Sequence, residues 1–95
     1  MESLNQLTTS MDVTVQSLVL KKGKPDIRTF NVQTAQLGKD RIFFFAQTKR
    51  DLTRLRFSLE KGCLFTDETG TYTCTDVCQA PGKSHYTLAV ARREA

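Results

Sequence analysis

The side chains best suited to chemistry are three cysteines and one histidine in the second half of the chain. Cys63, Cys74, Cys78 and His85 carry the thiol and imidazole groups that close structural zinc sites. Their spacing matches no common zinc knuckle, because the chain contains no Cys-x-x-Cys pair. The odd number of cysteines also argues against a closed set of disulfides. We therefore expect free thiols, no bound metal and no other cofactor.

The same residues offer a catalytic alternative, in which His85 acts as a base toward Cys74 or Cys78 as nucleophile. The sequence places no third group to orient the base. It also has no Gly-rich phosphate loop, no His-Glu metal helix and no Ser elbow. We therefore expect that the protein is not an enzyme.

The stronger chemical signal is an uneven distribution of charge. The net charge is +4, but residues 21–56 hold ten Lys or Arg against three Asp, and residues 57–76 are acidic. Such asymmetry indicates a surface that meets a polyanion, although ordinary charge scatter on a soluble surface is the alternative. Contacts with phosphates would be sensitive to salt and independent of sequence. The predicted nucleic-acid-binding residues are Lys21, Lys22, Lys24, Arg41, Lys49, Arg50, Arg54, Arg56 and Lys83.

The elements that would position these cations centre on residues 41–59, which the pattern predicts to be a β-hairpin. Five consecutive apolar residues, 42–46, are typical of a strand buried on both faces or wrapped inside a small barrel. Residues 54–59 then alternate between basic or polar and apolar side chains, as in a strand with one inner and one outer face. The hairpin would carry a basic rim made of Lys49, Arg50, Arg54 and Arg56.

Two further interpretations of this segment stay open. Leu52, Leu55 and Leu59 have a spacing that also fits a helix over residues 50–60. In the preceding run of phenylalanines, alternation places Phe44 on one face and its two neighbours on the other. A ring exposed in this way could stack on nucleic-acid bases.

The chain as a whole predicts one all-β domain, a small barrel or sandwich of about six or seven short antiparallel strands. In this chain of 95 residues, strand patterns with turn signals between them recur from Asp12 to Ala91. In the last strand, residues 85–91, we expect Tyr86, Leu88 and Val90 to face inward. The predicted organisation is a flexible N-terminal arm over residues 1–10, a β domain over 11–91 and a C-terminal tail over 92–95.

The sequence also bears on location. No apolar run approaches the roughly 20 residues that a membrane-spanning helix needs. The N-terminus has an acid at Glu2 and lacks the basic and apolar regions of a secretion signal. We therefore expect a cytoplasmic protein, or a domain of a longer one, with no membrane partner. Single-stranded RNA or another polyanion is the expected partner, further protein partners are allowed, and the oligomeric state stays open.

Five blocks of the sequence carry a resemblance to a known family. They are LGKDRIFFFAQTKRDLTRLRF, EKG, LFTDE, TYTCTD and PGKSHYTLAV, in that order. Together they resemble non-structural protein nine of coronaviruses, an RNA-binding replicase subunit. The resemblance implies a small open barrel related to OB-folds and a role as an accessory subunit of viral replication. It further implies weak binding of single-stranded RNA through basic loops, at Arg41, Lys49, Arg50, Arg54, Arg56 and Lys83.

The chain departs from that family at both termini. The closing residues ARREA do not match the family's C-terminal helix and its small-xxx-small seam. The resemblance therefore does not imply dimerisation of the family's type. The opening residues Met1, Glu2 and Ser3 do not match the family's reactive N-terminal residue, so no nucleotidylation site is implied.

A second pattern, Glu68-x-Gly70-x-Tyr72-x-Cys74, is similar to the tyrosine corner of immunoglobulin-like domains. This resemblance implies a β-sandwich that serves as a protein–protein interaction module, which is the alternative function. The early strands contain no cysteine to pair with Cys74, and the chain has no Trp for the core.

Overall fold

The described part of the chain folds into six β-strands and one short α-helix. The structure is a computed structural model and describes residues 8–79 and 86–94. No helix in these two ranges is long and apolar enough to cross a membrane. In chain order the elements are β1 (Thr9–Lys21), β2 (Lys24–Leu37), β3 (Asp40–Phe45), α1 (Lys49–Arg54), β4 (Leu64–Asp67), β5 (Gly70–Gln79) and β6 (Thr87–Arg93).

The strands close into a barrel in the order β1–β2–β3–β6–β5–β4, and every pairing is antiparallel. Closure is completed where β4 pairs with β1 through three register pairs, Thr14 with Thr66, Val15 with Phe65 and Gln16 with Leu64. The predicted all-β class is confirmed, and of its two forms the barrel is the one found.

The core follows from strand alternation and is rich in aromatic rings. Phe43 and Phe45 on β3 are buried inside the barrel, whereas Phe44 between them lies on the outer face. The ring of Phe43 meets Phe65 of β4 edge to face, with centroids 5.0 Å apart. The ring of Tyr72 on β5 lies 6.0 Å from Phe43 in a similar arrangement. Such pairs stabilise by about 0.5–1.5 kcal/mol each beyond the burial of their area.

The inward face predicted for the last strand is wrong. In β6 the buried residues are Thr87, Ala89 and Ala91, whereas Leu88 and Val90 lie on the other face. Both faces of β6 are apolar, so its pattern does not decide between them. The neighbouring residues on β3 determine which face of β6 points inward, because Phe43 is paired with Ala89 and Phe45 with Thr87 in the register. Two phenylalanines on one inner face leave room only for small side chains opposite them.

The predicted strand over residues 54–59, and with it the central β-hairpin, is also wrong. After β3 the chain enters α1 and then an irregular segment that leads to β4. A helix was the alternative for this stretch, although it begins and ends earlier than residues 50–60. At the ends of the domain, Thr9 and Ser10 of the predicted arm belong to β1, and β6 extends to Arg93 within the predicted tail. Residues 1–7 of the arm lie outside the described ranges.

A buried ion pair lies at the end of the barrel where β4 ends and β3 begins. Arg41 Nε lies 3.3 Å from Asp67 Oδ2, and the two side chains are only 11% and 0% exposed. Arg41 Nε donates its hydrogen bond to Thr34 Oγ1 at 3.0 Å, and the guanidinium lies 5.8 Å from the ring centroid of Tyr72. The other carboxylate oxygen of Asp67 accepts a hydrogen bond from the Thr69 backbone N–H at 2.7 Å. Arg41 is thus the opposing charge that compensates a fully buried carboxylate.

Arg41→Ala is expected to destabilise the protein by about 3 kcal/mol, because Asp67 would keep its burial and lose its counter-charge. Arg92→Ala is the matched control. Arg92 also forms an ion pair, with Asp40 at 3.2 Å, but its side chain is 64% exposed. That pair should contribute only about 0–1 kcal/mol. Urea unfolding followed by circular dichroism measures both variants, and equal losses would contradict the structural role assigned to Arg41.

Candidate nucleic-acid interface

Seven of the nine predicted nucleic-acid-binding residues lie at one end of the barrel. β1 and β3 run in the same direction, since each is antiparallel to β2, so their C-terminal ends share an end of the barrel. The turn after β1 and the helix after β3 therefore emerge together. All seven side chains are exposed. We call this set the basic end: Lys21, Lys22, Lys24, Lys49, Arg50, Arg54 and Arg56.

The first part of the basic end is the turn between β1 and β2. Its two central residues, Lys22 and Gly23, have φ of 53° and 78°, and a tight hairpin of type I′ requires positive φ at both positions. Asp26 accepts hydrogen bonds from Lys21 Nζ at 2.9 Å and from Arg28 Nε at 3.1 Å. Those bonds, first from Arg28 and then from Lys21, hold the pKa of Asp26 below its usual value. This carboxylate stays charged and orients two cations beside the turn.

The second part is α1, which begins with a capping box. Thr48 Oγ1 accepts a hydrogen bond from the Asp51 N–H at 3.1 Å, and Asp51 Oδ2 accepts one from the Thr48 N–H at 3.1 Å. The hydrogen bonds from Thr48, first its side chain and then its backbone, lower the pKa of Asp51. Leu52 is buried in the core and attaches the helix to the barrel. The exposed side of this short helix carries Lys49, Arg50 and Arg54.

The helix ends in a Schellman motif that has an arginine where glycine is usual. The Phe57 N–H donates to the Leu52 carbonyl at 3.1 Å, and the Arg56 N–H donates to the Thr53 carbonyl at 2.9 Å. Arg56 takes the left-handed conformation, with φ of 56°. The reversal of the chain buries Phe57 beside Leu52 in the core and leaves the Arg56 side chain in solvent.

Two contacts hold the turn and the helix together. Lys21 Nζ donates a hydrogen bond to the backbone carbonyl of Arg56. Below this contact the Arg28 guanidinium lies over the ring of Phe57, 5.3 Å from its centroid. Two basic segments that are about 30 residues apart in the sequence thereby form one surface.

A cleft of about 590 Å³ adjoins this surface, between α1, residues 57–61 and β5. Lys49 lines one side of it, and Lys61 lines it from the segment that leads into β4. Lys61 and Arg28 also adjoin the basic end, and neither was predicted from the sequence to do so. Lys61 follows Glu60 within residues 57–76, whose net charge is negative, so the charge distribution along the sequence does not indicate it. The available signal for Arg28 is alternation along β2, which places this cation on the same inward face as Phe30 and Val32, where a charged side chain is unusual.

Of the other two predicted cations, only Arg41 belongs to the described residues. Arg41 lies at the opposite end of the barrel in its buried pair with Asp67, so its guanidinium is committed inside the protein. Lys83 lies outside the described residues. The phenylalanine run offers one ring on the outer face, Phe44, and that ring is only partly exposed, next to Gln33 and Leu88 in the register.

The three cysteines are divided between buried and exposed positions. Cys63 and Cys74 are buried and Cys78 is exposed. Burial raises the pKa of the Cys74 thiol to about 11, and its Sγ donates to the Asp76 carbonyl at 3.4 Å. In the ranges 8–79 and 86–94, no three His, Cys, Asp or Glu side chains are grouped so that they could hold a metal ion. His85 lies outside these ranges.

Comparison of the chain with protein-family models, with curated proteins and with solved structures finds no match. The two family resemblances therefore stay predictions from the sequence, and the function has to be argued from the site itself.

The Schellman motif gives a test that separates two nearby arginines. Arg56→Gly is expected to raise the free energy of unfolding by about 0.5–1 kcal/mol, because glycine adopts the left-handed conformation without steric cost. Arg54→Gly, the matched control, should lower it by about 0.5–1 kcal/mol, because glycine is unfavourable within a helix. Both substitutions remove one positive charge, so thermal unfolding of the pair isolates the backbone effect. Equal destabilisation by both would contradict the assigned cap.

The burial of the cysteines predicts that one thiol reacts readily in the folded protein. At pH 8 a disulfide reagent such as DTNB should modify only Cys78 quickly, because Cys74 is buried and stays protonated and Cys63 is buried. All three thiols should react in denaturant. In Cys78→Ser the fast phase should disappear, and a fast phase that persists would show that a second thiol is accessible.

Proposed function

We propose that this protein binds single-stranded nucleic acid, RNA in particular, without sequence preference, through the basic end. The observation that carries the proposal is the contact between Lys21 and the Arg56 carbonyl, which gathers seven exposed cations on one surface. The protein acts in this proposal as a binding protein and not as an enzyme.

The charge balance at the basic end supports a polyanionic ligand. Two acids at the basic end are already engaged within the protein, Asp26 with Lys21 and Arg28, and Asp51 with the start of α1. Lys22, Lys24 and Arg50 are exposed, and none of their charges is needed for the core. At physiological ionic strength charges act over about 8 Å, so neighbouring cations on one surface reinforce one another at a phosphate chain.

The shape and chemistry of the surface support an unspecific single strand over a duplex read by sequence. Lysine and arginine side chains bind phosphates, which carry no sequence information. The barrel measures only 47 × 32 × 19 Å, and a flexible strand can bend around its end and into the cleft beside Lys49. The resemblance to the coronavirus replicase subunit also points to single-stranded RNA.

Binding of a fluorescent single-stranded RNA of about 20 nucleotides across a salt series tests the proposal. The logarithm of the affinity should fall linearly with the logarithm of salt concentration, with a slope of about 0.7 for each phosphate neutralised. Lys22→Ala combined with Lys24→Ala should weaken binding about tenfold at low salt and reduce the slope by about 1.4. Oligomers of different base composition should bind alike.

Lys39→Ala is the matched control, because Lys39 is an exposed lysine in the turn between β2 and β3 at the opposite end. Its affinity and slope should equal those of the unaltered protein. No RNA binding at low salt, or equal losses in the control and the double variant, would overturn the proposal. Absence of binding would turn attention to the protein–protein interaction module.

A further inference from the structure

Exposed aliphatic side chains accompany the cations at the basic end. The exposed fractions are 54% for Leu18, 42% for Val19, 62% for Leu20, 56% for Ile27 and 42% for Leu55. Leu55 directly precedes Arg56, and the other four lie on the β1–β2 hairpin beside the lysine turn. Large exposed apolar groups gathered in one place mark a surface that contacts a partner.

The four aliphatic residues of the hairpin lie where its two strands extend past the neighbouring strands of the barrel. The pairing of β1 with β4 ends at Gln16, and the pairing of β2 with β3 begins only at Gln33. Past the pair Gln16–Ile27, the two strands are paired only with each other, through Leu20–Pro25 and Lys21–Lys24. The hairpin tip, residues 18–27, thus extends past the neighbouring strands and carries aliphatic side chains and lysines together. On one side it rests against the segment between β3 and β4, where Leu18 packs against Gly62 and Lys21 contacts Arg56.

The proposed RNA contacts do not account for the aliphatic side chains. Phosphates are bound by cations, and unspecific single-strand binders stack bases mainly on aromatic and guanidinium groups, so leucine and isoleucine are poorly suited to that role. We propose that the hairpin tip docks onto an anionic lipid surface. Leu20 and Ile27 would enter the boundary between headgroups and acyl chains, while Lys22 and Lys24 contact the anionic headgroups.

Charge and shape favour this occupant over two others. A second copy of the chain would bring the same lysines against one another, which like charges disfavour. An amphipathic peptide helix needs an apolar groove, and the cleft beside α1 is lined by other residues than the hairpin tip. A membrane surface needs no groove, because a protruding apolar element enters it directly.

This inference revises the expectation of no membrane partner, which rested on the lack of a segment long enough to span a bilayer. Docking of a hairpin at the surface requires no such segment. The inference is also independent of RNA binding: the two share the lysines, but only lipid binding uses Leu20 and Ile27. That difference allows the two to be tested apart.

Sedimentation with lipid vesicles tests the docking. The protein should bind vesicles that contain about 30% phosphatidylserine in phosphatidylcholine, and bind pure phosphatidylcholine at least about tenfold more weakly. Leu20→Thr combined with Ile27→Thr should reduce binding to the anionic vesicles at least tenfold, because two aliphatic groups no longer enter the lipid. Threonine keeps the preference for a strand, so the fold should survive.

Leu37→Thr is the matched control, since Leu37 is 64% exposed but lies at the opposite end of the barrel. It should bind vesicles like the unaltered protein. Lys22→Glu combined with Lys24→Glu is a second variant, which should abolish vesicle binding without altering any apolar side chain.

The same variants are measured against the single-stranded RNA. The Leu20 and Ile27 double variant should keep its RNA affinity while it loses vesicle binding. The docking is overturned if the protein binds neither kind of vesicle, binds both equally, or binds anionic vesicles equally well with threonine at positions 20 and 27. Loss of RNA binding alone would overturn the proposed function and leave the docking intact.

Discussion

Closure of the barrel between β1 and β4 is the constraint on which the rest of the structure depends. β4 has only four residues and meets β1 through three register pairs. The chain must therefore cross from the end of β3 to the start of β4 before the barrel can close, and this crossing covers the open end. Leu52 and Phe57 complete the core from that cover. Because their side of the crossing is apolar, its cations are left on the solvent side.

The strands were predictable from alternation wherever the two faces differ in polarity. This holds for β1, where Val13 and Val15 are buried between more exposed neighbours. It fails in β6, because both faces are apolar and only the bulk of the opposing phenylalanines selects the alanines. Alternation fails again after β3, because residues 54–59 alternate in polarity like a strand. The end of α1 was also not recognisable, because Arg56 occupies the left-handed position after the helix where a glycine would have indicated a helix end. The pattern Thr48-x-x-Asp51 was the available signal for the start of α1.

The candidate site was only partly predictable, for a related reason. Sequence identifies the cations, but their proximity depends on strand direction and on contacts such as that of Lys21 with the Arg56 carbonyl. The exclusion of Arg41 could have been predicted, because it has the same parity in β3 as the buried Phe43 and Phe45. A cation on an inward face is more often a partner for a buried acid than a ligand for RNA.

The closed barrel also limits where a partner can bind. An open sheet offers unpaired backbone groups along its edges, and many recognition domains bind extended chains there. Here every described strand is paired on both sides along part of its length, so addition of a strand is blocked there and the outer wall, the ends of the barrel and the hairpin tip remain as binding surfaces. At one end the charges of Arg41 and Asp67 satisfy each other inside the protein. At the other end the cations and aliphatic side chains point into solvent, where neither contributes to the core. Groups that the fold does not need are the ones available to a partner, and the basic end carries the larger set of them, so we expect a partner to bind there.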